Sequence, residues 1–278
     1  MNTRCTIHAH RKVCDQKGPQ RGASLIELMV GLTIGLMVVL AATGSLLVTR
    51  EGSTTVSDSY RLATAGNNAM RLIASSIRQA GAAELVQTNQ GDPVSFAPMT
   101  QRGATATGDQ LVFGTEGGAG TDTLIVSYEH RNANVTRDCL GNDPGAVPER
   151  IDNNFRVNNV ELQCRGQRGL AGNNIADFQA LVGDNNNPNT DIAVEDFQVW
   201  YWVQNPVDAT QTQRVTAAAI AANAWSTVQT VEVCLQLRGI GANYPAVGTY
   251  RNCRDANVAN DGRMHQVFRG MYKLRNRM

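Results

Sequence analysis

Few residues in this chain could do chemistry, and the most pointed of them is a carboxylate in an apolar setting. Glu27 lies in the run ASLIELMVGLTIGLMVVLAATGSLLVT, residues 23–49, which holds no other charged side chain. An ionisable group inside such a run is costly in a bilayer, and its default reading is functional, with a partner expected. Simple solvation at the headgroup level is the bland alternative. Directly before the run stands the small-residue sequence Arg21-Gly22-Ala23-Ser24.

The six cysteines are the next candidates. Cys5 and Cys14 lie in the basic head, and Cys139, Cys164, Cys234 and Cys253 lie far downstream. An even set of four in an exported domain implies two disulfides and an oxidising compartment, with four free buried thiols as the alternative. Four cysteines allow three connectivities. The sequence-near pairing, Cys139–Cys164 with Cys234–Cys253, closes two short loops, each worth roughly 3 kcal/mol on the chain-entropy account.

Other reactive constellations are missing. There is no CxxC spacing for zinc, no HExxH, no GxSxG and no GxxxxGK[ST]. His130 and His265 are too sparse for a metal cluster, and both are expected on the surface. The stretch Asp184-Asn185-Asn186-Asn187-Pro188-Asn189-Thr190-Asp191 is rich in oxygen ligands, but Pro188 breaks the EF-hand spacing and turn chemistry explains the composition. Gly117-Gly118-Ala119-Gly120 reads as a loop. Trp200, Tyr201 and Trp202 alternate across a strand, so one face packs and the other could meet a partner. No catalytic residue, metal or cofactor is expected, and the chain is not expected to be an enzyme.

Around these residues the elements separate clearly. The apolar run would span about 40 Å as a helix, enough for a hydrocarbon core of about 30 Å. Arg4, Arg11, Lys12, Lys17 and Arg21 precede it against a single Asp15. The positive-inside rule therefore places residues 1–22 in the cytoplasm and the remainder outside. An ordinary secretory signal carries its small-residue site after the apolar region, whereas here it comes before. The formal net charge of +1 gives no reason to expect a nucleic-acid partner.

From Leu46 to about Ala80 the helix is expected to continue. Val56, Tyr60, Ala63, Met70, Ile73, Ile77 and Ala80 form one apolar stripe, Arg61, Arg71 and Arg78 supply polar faces, and Gly81 is a natural stop. Beyond it come strands at Gln110–Phe113, Thr123–Glu129, Phe155–Cys164, Val194–Val203, Thr227–Arg238 and Gln266–Leu274, with a short helix over Val215–Asn223. The fold class is α+β: a long N-terminal helix packed on an antiparallel sheet. Four regions result: a head over 1–22, an apolar helix over 23–49, its amphipathic continuation over 50–81, and a β-rich domain over 82–278.

The stretch from Arg21 to Val30 resembles the type IV prepilin signature: a basic leader, a glycine, a cleavage point, then an apolar helix with glutamate at the fifth mature position. The resemblance implies cleavage between Gly22 and Ala23 by a prepilin peptidase, then N-methylation of the Ala23 amine. Ala23 departs from the family's usual phenylalanine, and the leader is longer than many. Glu27 of one subunit would pair with the buried amine of another. Ser75-Ser76-Ile77-Arg78-Gln79-Ala80-Gly81, Gly120-Thr121-Asp122-Thr123-Leu124-Ile125-Val126, Arg137-Asp138-Cys139-Leu140-Gly141, Leu162-Gln163-Cys164-Arg165 and the terminal Val267-Phe268 with Leu274-Arg275-Asn276 are similar to segments of PilW-like minor pilins.

That family implies a single-pass inner-membrane protein with a periplasmic domain, later part of a pilus at the cell surface. Its implied partners are the peptidase, other minor pilins, the major pilin, the inner-membrane assembly platform and the lipid bilayer. A J-type pseudopilin of type II secretion shares the same architecture. A signal-anchored periplasmic enzyme or binding protein, and an adhesin using the 115–225 region, are the readings from other classes.

Overall fold

The computed structural model describes residues 5–8, 11–14, 22–82, 85–86, 95–96, 111–118, 120–130, 137–142, 149–168, 177–186, 192–205, 208, 211–239, 241, 244 and 246–276. The chain divides into two units, Met1–Ser53 and Thr54–Met278. Helix α1, Leu25–Gln79, supplies residues to both. No proline interrupts those 55 residues. The helix stops where sequence chemistry says it should: Gly81 takes a φ of 71°, the left-handed conformation that glycine adopts without a Cβ penalty.

The first unit holds a short antiparallel hairpin, Cys5–His8 with Arg11–Cys14, and the start of α1. Every residue from 22 to 53 whose side chain is described is exposed.

The second unit is built on two antiparallel sheets and residues 54–79 of α1. Strands β1 (Val112–Thr115), β2 (Thr123–His130), β3 (Glu149–Asn158), β4 (Glu161–Arg168) and β5 (Gln179–Val182) pair in sequence order as a meander. The second sheet uses β6 (Ala193–Gln204), β7 (Thr212–Val215), β8 (Val228–Arg238) and a last strand, His265–Lys273. Between β8 and that last strand lies a small hairpin of β9 (Thr249–Arg251) and β10 (Asn257–Ala259), which makes His265–Lys273 strand β11. The second sheet runs β7-β6-β8-β11. Two further short strands, Leu85–Val86 and Ser95–Phe96, pair with each other.

Alternation decides which side of each strand is buried. Phe197, Val199, Tyr201, Val231, Val233, Leu235 and Leu237 enter the core from the second sheet. Leu124, Val126, Phe155 and Leu162 enter the same core from the first, and Leu62, Met70, Ile73, Ile77 and Ala80 from the helix. The approach is close. A Cβ on Gly66 would stand 2.1 Å from the Phe268 ring, so only glycine lets β11 lie against the helix there.

Several expectations need correction. Val56 and Tyr60 are exposed, and the buried stripe begins at Leu62 instead. Phe155–Cys164 is not one strand: it spans the end of β3, a tight turn with Asn159 at φ 53°, and the start of β4. Asparagine tolerates that conformation through its short polar side chain. Val215–Asn223 forms only a single 3-10 turn, Ala217–Ala219, because alanine propensity cannot nucleate a longer helix without a packed face. Gln110 lies outside the described residues, as do most of the residues of the 1–22 head.

The Gly66–Phe268 contact can be tested directly. Gly66→Ala should lower the unfolding midpoint despite alanine's better helix propensity of about 1 kcal/mol, because overpacking costs about 1–3 kcal/mol. Phe268→Leu in the same chain should recover part of the loss, read by thermal denaturation as a double-mutant cycle.

Candidate functional site

Helix α1 begins immediately after the small-residue site. The Leu28 amide donates to the Ser24 carbonyl at 3.1 Å, making Ser24 the position that opens the helix, with Glu27 in the first turn. Ser24-Leu25-Ile26-Glu27 thus has the S-x-x-E order of a capping box, a local signal that sequence reasoning passed over while weighing Glu27 for other work. A carboxylate there also interacts favourably with the positive end of the helix dipole.

The segment Leu25–Leu47 is apolar enough to cross a membrane, with a mean hydropathy of 2.4 and none of it buried within the protein. Its 23 residues rise about 35 Å, against a hydrocarbon core of about 30 Å. The hydroxyls of Thr33 and Thr43 donate to the Val30 and Val39 carbonyls at 2.9 Å, so they bring no unmet polar group into the apolar face. Glu27 is different. It has no cationic partner among the described residues, so its charge is open to a group from outside this chain.

In the second unit the other candidates turn out to be structural. Cys139 is bonded to Cys164 and Cys234 to Cys253, with Cα separations of 6.5 and 5.6 Å. His265 is not a surface histidine. Its ring is 4% exposed, sits between Glu195 Oε2 and Asp261 Oδ1 at 2.8 Å each, and stacks on Tyr250 at 4.2 Å. The His130 side chain lies outside the described residues.

Of the aromatic triplet, Tyr201 is fully buried edge-on to Trp225. Trp200 lies under the Arg214 guanidinium at 3.9 Å, and the Trp202 indole N–H donates to Glu232 at 3.3 Å. Glu232 in turn accepts two hydrogen bonds from Arg214, so the outer aromatic face is largely occupied by its own neighbours.

The acidic run folds as turn chemistry demands. Asn185 accepts from the Val160 amide and donates its own amide to Glu161, while Asp184 accepts from the Asn186 amide. Asn187–Asp191 lie outside the described residues. No group of three or more histidine, cysteine and acidic side chains among the described residues could hold a metal ion.

The loop after β1 is clamped rather than open. Asp122 accepts from the Gly117 and Val199 amides, and Arg254 donates to the Gly118 carbonyl and to Asp196. Sequence reasoning missed Arg254, which reaches this loop from the far side of the chain only through the fold. Nothing in its local sequence marks it.

The prokaryotic N-terminal methylation motif matches residues 17–43, a window containing Gly22, Ala23 and Glu27. Among solved structures, a type IV-like pilin from Thermus thermophilus is similar, with a TM-score of 0.50 and 16% identity. The likeness covers 78% of this chain and 99% of that one. The fold is type IV pilin-like. No curated protein sequence gives a significant match. A methylation motif of the prepilin type on a pilin-like fold supports a pilin-type, structural function.

The pilin-like domain carries a pH dependence in the clamped loop. Burial, then the neighbouring Asp122, pushes the Glu116 carboxyl above its ordinary value, and burial does the same to Asp122. A raised folded pKa means that the native state binds more protons than the unfolded chain, so stability falls as pH rises through these values. Asp255 and Asp261 are shifted down and act in the opposite sense, in more acidic solution. As pH rises above about 4.5 the melting temperature should therefore decline less steeply in Glu116→Gln than in the parent, measured by scanning calorimetry.

Proposed function

We propose that this chain is a minor pilin of the PilW-like kind: a prepilin cut between Gly22 and Ala23, then carried into a type IV pilus by its apolar helix. The observation supporting this most directly is Glu27, without a cationic partner among the described residues, in the first turn of an exposed apolar helix, the fifth residue after a glycine–alanine junction that the methylation motif covers. Residues 1–22 form the leader, and the β-rich domain stands in the periplasm before assembly.

The mechanism follows from charge. Hydrolysis of the Gly22–Ala23 amide by the membrane prepilin peptidase leaves an amine at Ala23, and methylation keeps it basic. Packing of helices in a filament removes that cation from water, where an unpaired buried charge costs about 3–5 kcal/mol. Glu27 of an adjoining subunit supplies the counter-charge. Because the pair forms only at one axial offset, it also sets register, as a buried polar residue does in a coiled coil. Before assembly the same helix holds the protein in the inner membrane.

The segments around Ser75–Gly81, Gly120–Val126 and Arg137–Gly141 favour the minor-pilin reading over a type II secretion pseudopilin. In the structure they close the helix, clamp the loop before β2 and hold the first disulfide. The partners implied are other minor pilins, the major pilin and the assembly platform.

Two measurements check the reading. Intact mass and N-terminal sequencing should find a chain starting at Ala23 only in cells that possess the peptidase; a Met1 start in both backgrounds would remove the assembly mechanism. Glu27→Ala should be processed normally, yet its recovery in sheared filaments should fall by about a hundredfold or more, the equivalent of roughly 3 kcal/mol. Normal incorporation would take the counter-charge role away from Glu27.

A further inference from the structure

Strand β11 ends the second sheet, and its outer edge carries no strand among the described residues. The register tells which backbone groups face outward. The Leu274 amide donates to Gln229 and the Gly239 amide to Met264, on the same antiparallel register that pairs Lys273 with Thr230 and His265 with Arg238. Hydrogen-bonded pairs alternate with pairs whose groups point away, so the even-numbered residues of β11 bond to β8. Val267, Arg269, Met271 and Lys273 therefore aim their N–H and C=O groups off the sheet. None of these has a backbone partner on that side among the described residues.

Beside this edge runs a groove of about 470 Å³ between the strand and the helix, with Met70 and Phe268 contributing apolar lining and Arg71, Arg78, Arg269 and Tyr272 among its other walls. No acidic side chain lines it. Arg71 and Arg78 are exposed and have no ion-pair partner among the described residues, whereas Arg269 is tied to Asp255 at 3.0 Å. Lys273 is exposed at the end of the strand.

We propose that this edge and groove receive an extended, carboxylate-bearing segment of a different pilin subunit, which adds to the sheet as a strand beyond β11. The proposal rests on the filament reading above. Backbone groups supply the affinity in strand addition, and the flanking side chains select the partner. Here selection is electrostatic: two unpaired guanidiniums flank an apolar floor, which fits a strand alternating acidic and apolar residues. A second copy of this chain is the wrong occupant. Joining two β11 edges would bring Arg269 and Lys273 of one copy near the same residues of the other, and like charges across strands repel. An unoccupied edge of nine residues is also the kind of surface that proteins ordinarily cover.

The test uses full-length protein in piliated cells, with the photo-crosslinker benzoylphenylalanine placed at Lys273 and, in a separate strain, at Val39 in the apolar helix. Irradiation at position 273 should give an adduct with another pilin, and peptide mapping should place it on an extended acidic segment. Met271→Pro removes one outward N–H and no bond to β8, as an edge strand tolerates. It should cut the adduct at 273 by about tenfold or more while leaving the adduct at Val39 in place. Should that variant fold poorly, the surface double substitution Arg71→Glu with Arg78→Glu must give the same selective loss. An adduct at Val39 with none at 273 overturns the docking edge and leaves the filament reading standing. Absence of both sinks the filament reading itself. An adduct at 273 with a second copy, or with a helix, also overturns the proposal, as does an acidic-segment adduct indifferent to both variants.

Discussion

The second unit depends on one constraint: the apolar stripe from Leu62 to Ala80 must be covered by two sheets at once. The second sheet reaches it through Phe268, seated where Gly66 leaves no Cβ, and just past β8 a Cβ on Gly239 would stand 3.3 Å from the Leu62 side chain. The first sheet reaches the end of the helix, where the Gly81 amide donates to the Ser127 carbonyl at 2.8 Å. Burying Leu62, Ile73 and Ile77 fully is worth about 1.5–3 kcal/mol each relative to exposure, so these residues weigh more than any single polar contact.

Polar groups then select the arrangement that the apolar contacts permit. Asn153, almost fully buried on β3, donates to Ser76 of the helix and to the Tyr128 hydroxyl, and accepts from the Cys139 amide. The Tyr128 hydroxyl in turn donates to the Arg137 carbonyl at 2.7 Å, and burial raises the pKa of that hydroxyl. One amide side chain thereby ties helix, sheet and the first disulfide loop. Such a network is specific because any member left unsatisfied in the interior would be costly. The second disulfide acts alike at the other sheet, where Cys253 is covalently joined to Cys234 and its carbonyl accepts a hydrogen bond from Arg269.

These two units divide the physical tasks. The described titratable groups of the globular unit mostly answer to one another: His265 with Glu195 and Asp261, Arg254 with Asp196, Glu232 with Arg214. They are spent on holding loops and sheet faces. Glu27, by contrast, has no such answer among the described residues. A carboxylate with no cationic partner among the described residues, on an apolar helix that those residues leave exposed, makes a surface suited to association.

The local features were legible because they depend on neighbours in sequence. The apolar run, Glu27 after Gly22-Ala23, the stop at Gly81 and the alternation from Val231 to Leu237 each follow from spacing and backbone chemistry alone. The boundary between β3 and β4 was hidden because its two-residue turn, Asn159-Val160, contains neither glycine nor proline. The end of the buried stripe at Leu62 was equally hidden, since Val56 and Tyr60 continue the same periodicity with nothing packed upon them. The roles of Arg254, Asn153 and His265 could not be read from local sequence: each depends on a partner dozens of residues away or more, Gly118, Ser76 and Glu195 in turn. Sequence by itself determined that the chain has an apolar, acid-marked helix followed by a β-rich domain. Only tertiary structure decided which polar residues are consumed in building that domain, and that β11 stands at the edge of its sheet among the described residues, because pairing and burial depend on distant segments meeting in space.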